Sequence, residues 1–358
     1  LSGSGVIIVS VLPNRVPIIA APMAGGPSTP ALAAAVSNAG GLGFLAAGYL
    51  TPAAFDERLT AIEALTDAPY GVNLFLPSPR TGDLEAIEAY RQQLFPRAEK
   101  LGVEPGRPSW DDDALEAKID VLATHRPAAV SFTFDAPDVG LCDRIRQDSP
   151  KAVLIATVTS VDEARLAQTS GVDALAVQGA EAGGHRGIFR DDPAQQAGGP
   201  ATPLLDLLTE IGAASRLPMI AAGGLAGGRD VARALDRGAI AAALGTAFLC
   251  CPEAGTSATH RRALLEAPFT ETTFTRAFTG RPARALVNGF IREHDGHAPF
   301  GYPEIHHVTR PIRAAAAASG DLDDLHLWAG TNWQSVTEEP AADLVRRMAE
   351  ELAAARVK

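Results

Sequence analysis

The segment Gln178-Gly-Ala-Glu-Ala-Gly-Gly-His185-Arg-Gly sets one imidazole on a backbone that carries four glycines. Imidazole is the side chain whose unperturbed pKa allows general acid or base work near neutrality. A loop histidine can also do no more than hydrogen-bond to backbone, so its position has to argue for chemistry. Two primary amides stand in similar places: Asn73 lies inside the apolar run YGVNLF, and Gln178 closes the run ALAVQ. An amide offers donors and acceptors together, which matches a ring edge of alternating C=O and N–H groups and equally serves a structural polar network.

Glycine turns supply a second kind of chemistry. One apolar run ends in Ala222-Gly223-Gly224 and the next in Ala243-Leu244-Gly245-Thr246, directly before a helical pattern. Glycine lets backbone N–H groups approach an anion, and a helix N-terminus adds unpaired donors. Either turn alone is only a tight turn, but at adjacent strand ends the pair predicts a phosphate cradle. A flavin pyrimidine is one example of the ring edge that such an amide would match.

The elements that must position these groups alternate regularly. Short apolar runs begin near Val16, Leu42, Tyr70, Ala129, Ala152, Ala174, Pro218 and Ala241, with amphipathic helical patterns such as Ala53 to Leu65 and Arg229 to Arg237 between them. Eight βα units predict an α/β fold of the (β/α)8 TIM-barrel type rather than an open doubly wound sheet, with its active site at the C-terminal strand ends. The uneven spacings place an insertion at about 83–124, after strand three, and a Gly-rich loop after strand six. We read 13–255 as the barrel, 256–340 as a C-terminal lid broken by Pro282, Pro299, Pro303 and Pro311, and 341–358 as a helix packing back on the barrel.

Composition narrows the partners. The 358 residues are 46% hydrophobic and 20% charged, enough for a large core, and the net charge of -11 disfavours nucleic acid and anionic membranes. The acidic run Asp111 to Asp113 reads as a solvated helix cap. Cys142, Cys250 and Cys251 form neither a disulfide framework nor a CxxC site, so a reducing cytosol is the simplest compartment. Burial, not nucleophilicity, is their expected role. The apolar stretch Val6 to Leu12 lacks the flanks of a signal peptide, and apolar runs elsewhere break well before the ~20 residues of a membrane span. His294, His297, His306 and His307 crowd the lid segment without a ligand spacing that points to a metal.

The runs PIIAAPMAGGPSTPALAAAVSNAGGLGFLAAGY, YGVNLF, QGAEAGGHRG and PMIAAGGLAGGRDVARALDRGAIAAALGTAFL together resemble the nitronate monooxygenase family, formerly called 2-nitropropane dioxygenases, from Pro17 to Leu249. The later GYPEIHHVTRPIRAAAAASGD is similar to its bacterial members. The resemblance implies FMN as cofactor, with Met23 against the flavin ring and Asn73 and Gln178 on its polar edge. Gly183, Gly184, Gly223, Gly224, Ala243, Leu244, Gly245 and Thr246 would take the ribityl chain and phosphate. It makes His185 the catalytic histidine, removing the proton α to a nitro group or positioning a nitronate, which O2 chemistry converts to a carbonyl compound and nitrite without nicotinamide. Similar barrels with a GG-His loop serve NAD(P)H-dependent quinone and enoyl-thioester reductases, and a non-catalytic flavin- or phosphate-binding barrel is a third reading. Bulk at Phe132 or Phe134 argues against the enoyl-reductase branch. Tyr302, Trp328 and Trp333 are candidates for lining a lid, and the oligomeric state stays open.

Overall fold

A computed structural model describes residues 11–80, 82–266 and 269–357; of the stretch Val6 to Leu12, all but Val11 and Leu12 lies outside these. In chain order the strands are β1 Ile18–Ala20, β2 Leu42–Ala46, β3 Tyr70–Phe75, β4 Ala129–Thr133, β5 Val153–Val158, β6 Ala174–Gln178, β7 Gly184–His185, β8 Met219–Ala222, β9 Ala239–Leu244, β10 Thr272–Thr275 and β11 Ala283–Leu286. All but β7, β10 and β11 form a closed parallel barrel in the order β1-β2-β3-β4-β5-β6-β8-β9, with β9 returning to β1. This is the (β/α)8 TIM barrel expected from the alternation.

The helices are α1 Pro30–Asn38, α2 Pro52–Glu63, α3 Leu84–Gln93, α4 Phe95–Lys100, α5 Leu115–His125, α6 Val139–Asp148, α7 Val161–Thr169, α8 Leu204–Ala214, α9 Gly228–Asp236, α10 Ala258–Leu265, α11 Gly289–His294, α12 Glu304–Ser319 and α13 Ala341–Arg356. Local chemistry starts many of them. Thr29 and Thr51 accept N-cap bonds from Leu32 and Ala54, each ahead of a proline in the first turn, and Asp138 and Ser160 cap α6 and α7.

Strand periodicity divides the core in two. Ile19, Phe44, Ile155, Ala174, Ile220 and Ala241 fill the barrel interior, while Val72, Leu74, Val130, Phe132 and Leu154 face the helices. Phe44 has room because Gly71 is bare: a Cβ there would lie 2.5 Å from its ring. Phe132 therefore faces the helices and not the mouth, where Phe134 alone stands.

The ring of helices closes through the C-terminus. α13 packs between α9 and α1, and Leu344, Val345 and Met348 share a buried cluster with Ile18, Val36 and Val231. α5 sits in the ring between α2 and α6, so the extra helices after β3 are α3 and α4, which pack on α12. The segment after the barrel is more regular than its prolines led us to expect. Pro311 lies inside α12 and, lacking an N–H, withholds the intrahelical donor of the His307 carbonyl, while the neighbouring Val308 carbonyl accepts from Gly106 N at 2.8 Å. No helix among the described residues is long and apolar enough to cross a membrane.

Gly228 opens α9 where α13 crosses it, and a Cβ there would lie 2.1 Å from the Met348 carbonyl oxygen. Gly228→Ala should lower the unfolding free energy by about 1–3 kcal/mol, as overpacking does. Urea denaturation followed by far-UV circular dichroism measures this, and an unchanged midpoint would mean that the α9–α13 contact has slack.

Candidate active site

The inward register that fills the barrel also builds the floor of a cavity at its C-terminal end. Continuing the inward positions upward brings Asn73, Thr133, Thr157, Gln178, Ala222 and Ala243 to the mouth, where all six line a cavity of about 650 Å³. This lies within the roughly 300–1,000 Å³ typical of ligand sites. Walls come from the loop after β1, including Met23, and from α12 and the segment carrying Trp328.

His185 reaches this cavity on β7, which pairs antiparallel with β11 through Ala283 opposite His185 and Arg284 opposite Gly184. The loop behind it is tied down from both ends. Buried Arg186 donates to the carbonyls of Gln178 at 3.2 Å and Pro200 at 2.9 Å, and Arg281 donates to the carbonyls of Arg186 and Ile188. The imidazole Nε2 lies 2.9 Å from Thr279 Oγ1, and the ring is flanked by Trp328, Tyr302 and Phe134 at centroid distances of 5.4, 5.8 and 5.9 Å. Burial, reinforced by the positive charges of Arg281 and Arg313, pushes its pKa down to about 3, so the ring is neutral near pH 7.

The two amides do different work. Asn73 Nδ2 donates to Ser131 Oγ at 2.9 Å, Thr133 Oγ1 at 3.0 Å and the Ser131 carbonyl at 3.2 Å. These bonds fix the amide plane and leave its oxygen without a protein donor among the described residues. Gln178 is engaged at both ends: Nε2 donates to the His185 carbonyl at 3.0 Å, and Oε1 accepts from Gly187 N at 2.8 Å. It clamps the histidine loop and retains one N–H for anything bound in the cavity.

The glycine turns also meet at the mouth, with a correction to the expected helix N-termini. After β9 there is only a 3₁₀ turn, Thr246–Phe248, not a helix. The N-terminus of α9 is already filled: Asp230 Oδ2 accepts from Ala226 N at 2.8 Å and Gly227 N at 3.3 Å, and Glu351 Oε2 accepts from Gly228 N at 2.8 Å. An anion here would be held by loop N–H groups at Gly224, Leu225, Gly245 and Thr246, which no described residue engages. Gly223 and Gly224 have φ of 114° and 66°, where a side chain is strained. Gly183 has another reason to be bare, since a Cβ would lie 2.5 Å from Gly330 N of the segment crossing above it. Thr246 Oγ1 accepts from the same Gly330 N at 3.0 Å. The cavity size, the open N–H groups and the Asn73 oxygen all fit a flavin nucleotide.

Several site residues escaped the sequence reading. Thr279, Arg281 and Arg313 enter from the chain after the barrel, and Tyr49 from the loop after β2, stacked on His306 at 4.1 Å and accepting from Tyr302 OH at 3.2 Å. The sequence reading, which took this segment as an irregular lid, gave no signal that it would pair with the histidine loop. Trp333 is buried in another cluster, away from His185, whereas Trp328 and Tyr302 stand beside it. The lid-segment histidines do not converge on one point: His294 packs on Phe290, His306 stacks on Tyr49 with the His307 ring 5.4 Å away, and His307 pairs with Asp111 at 2.7 Å. All three cysteines are buried, and burial raises their pKa to about 11 for Cys142 and Cys250 and about 12 for Cys251.

Residues 10–351 match the model of the family described as nitronate monooxygenase. A nitronate monooxygenase of Pseudomonas aeruginosa is 38% identical over 350 residues, covering 94% of this chain and 96% of its own. A probable nitronate monooxygenase of Bacillus subtilis is 37% identical over 327 residues, 90% of this chain and 92% of its own. Among solved structures, nitroalkane oxidase from Streptomyces ansochromogenes superimposes with a TM-score of 0.92 at 45% identity, covering 96% of this chain and 98% of its own. FabK from Thermotoga maritima gives 0.74 at 25% identity, covering 97% and 96%.

Two outcomes are expected from this geometry. Burial lowers the pKa of His260 and His294 to about 4, and depresses His306 and His326 as well as His185. Below about pH 6.5 the unfolded chain takes up protons that the folded chain refuses, so the stability these groups contribute above that pH is lost as it falls toward 4 and 3. The urea midpoint should drop between pH 7 and pH 5, and a flat midpoint would show these rings charged in the fold. The second outcome concerns the anion cradle. A Cβ on Gly245 would meet nothing nearer than Met23 Sδ at 3.6 Å, an ordinary contact, whereas one on Gly224 would strike Glu181 Cβ at 2.7 Å. Gly245→Asp should weaken flavin binding at least about tenfold by like-charge repulsion, while Gly245→Ala retains it, measured by flavin fluorescence titration.

Proposed function

The chain belongs to the nitronate monooxygenase family, flavin-dependent oxidoreductases of nitro compounds, and on that premise we propose that it uses FMN and O2 to oxidise alkyl nitronates to carbonyl compounds and nitrite. Neutral nitroalkanes are the slower substrates. The observation that carries this reading is the charge state around His185: a neutral imidazole stands in the field of Arg281 and Arg313, neither of which is in an ion pair among the described residues. Such surroundings attract a preformed anion and disfavour placing another positive charge on the ring.

Bound FMN supplies the electron acceptor and the centre that reacts with O2. The chain's own residues would seat it: the Gly224, Leu225, Gly245 and Thr246 N–H groups would hold the phosphate, Gly183, Gly184, Gly223, Ala243 and Leu244 would line the ribityl chain, Asn73 and Gln178 would meet the ring's polar edge, and Met23 would lie against the ring. The phenyl ring of Phe134 and the indole of Trp328 exclude water from the face of His185. For a nitronate, the imidazole only has to position the substrate. For a nitroalkane it must accept the α-proton, and burial among cations makes it a weak base for that step.

Nitrite release and oxygen uptake by the FMN-loaded protein, with preformed nitronates, the parent nitroalkanes and NADH or NADPH, test this reading. We expect kcat/KM for nitronates to exceed that for nitroalkanes by at least about 100-fold, with the nicotinamides left unoxidised. Prompt oxidation of NADH without nitronate turnover would make the protein a flavin reductase, and flavin binding without any turnover would make it a carrier. His185→Asn should cost about 10²–10⁴-fold on the nitroalkane and far less on the nitronate. Equal losses on both, with a lowered Tm, would reduce His185 to scaffolding.

A further inference from the structure

Thr279 is 1% exposed and carries one hydroxyl proton for two neighbours, His185 Nε2 at 2.9 Å and the Arg281 carbonyl oxygen at 3.2 Å. The Arg281 carbonyl has no other donor among the described residues, while a histidine Nε2 can itself donate. If the hydroxyl gave its proton to the imidazole, a carbonyl in this buried turn would be left unpaired; giving it to the carbonyl satisfies every group. The relay then runs in one direction: Nε2–H donates to Thr279 Oγ1, and the Thr279 hydroxyl donates to the Arg281 carbonyl.

We propose that Thr279 is a positioning residue that holds His185 in the Nε2–H tautomer and so presents the Nδ1 lone pair to the cavity as the proton-accepting atom. The inference rests on the function proposed above for the kinetic role of Nδ1, but the tautomer itself is a property of the chain. Nδ1 has no protein partner and is not among the fully enclosed unpaired atoms, so it opens on the cavity. The backbone supports the same arrangement. Pairing of Ala283 with His185 sets the histidine beside the chain carrying Thr279, and Arg281 is locked onto the carbonyls of Arg186 and Ile188. The acceptor carbonyl thus cannot swing away without breaking the β7–β11 clamp. Edge-on and tilted contacts with Trp328, Tyr302 and Phe134 limit rotation of the imidazole but cannot choose which of its two nitrogens carries the proton. That choice falls to the hydroxyl.

The test is a long-range 1H–15N spectrum of the FMN-loaded protein with 15N-labelled histidine, the His185 signals being those absent from His185→Asn. We expect one neutral species protonated at Nε2. Thr279→Val keeps the side-chain shape, removes the acceptor and should give mixed tautomers or an exchange-broadened ring. In the same variant the ratio of nitroalkane to nitronate kcat/KM should fall about tenfold, and Thr279→Ser should restore both the spectrum and the ratio. A wild-type ring protonated at Nδ1 overturns the proposal without any variant, as does a Thr279→Val protein with an unchanged spectrum and ratio. A protein that turns over no nitro compound would sink the functional reading instead, and the spectrum would still decide the tautomer.

Discussion

Four residues carry the constraint on which the site depends: the antiparallel contact of Gly184–His185 with Ala283–Arg284. A glycine-rich loop beyond a barrel strand has no conformation of its own to defend, and conformational entropy would leave its imidazole anywhere over the mouth. Pairing with a strand from beyond the barrel removes that freedom. It also explains why Gly183 is bare, since the crossing segment at Ala329 and Gly330 passes too close for a side chain.

Having clamped the loop, the fold uses guanidinium groups where water would otherwise sit. Arg186 ties the two ends of the loop, and Arg281 bonds to its carbonyls while lying 4.0 Å over the ring of Phe134. Burial lowers the pKa of both to about 10, still far above neutrality, so both stay charged. Carbonyl oxygens and aromatic faces compensate them in place of carboxylates. The result is a positive interior beside a histidine that stays neutral.

Much of the architecture was legible from order and period. Eight apolar runs separated by helical patterns gave the barrel, and the position of Asn73 within the run YGVNLF marked it as a polar group near a strand end. The same pattern could not say that Phe132 faces outward while Phe134, at φ 86°, turns into the mouth. Nor could it show that α5 belongs to the ring, because helical periodicity reports that a face is buried and not against what. The helix expected after Gly245-Thr246 proved to be a 3₁₀ turn, because a short apolar run can form a single such turn as readily as a helix.

What the sequence alone determined is therefore local and periodic: the barrel, the amides at its strand ends, the glycine turns and the one imidazole among glycines. What only the tertiary structure decided is which atoms meet. Thr279, Arg281 and Arg313 lie about a hundred residues from His185 along the chain, and no spacing rule links them to it. Their contacts exist because a strand from beyond the barrel folds back across its mouth. The surroundings and the charge state of the His185 ring are set by long-range packing, where burial rather than residue type decides what a titratable group can do.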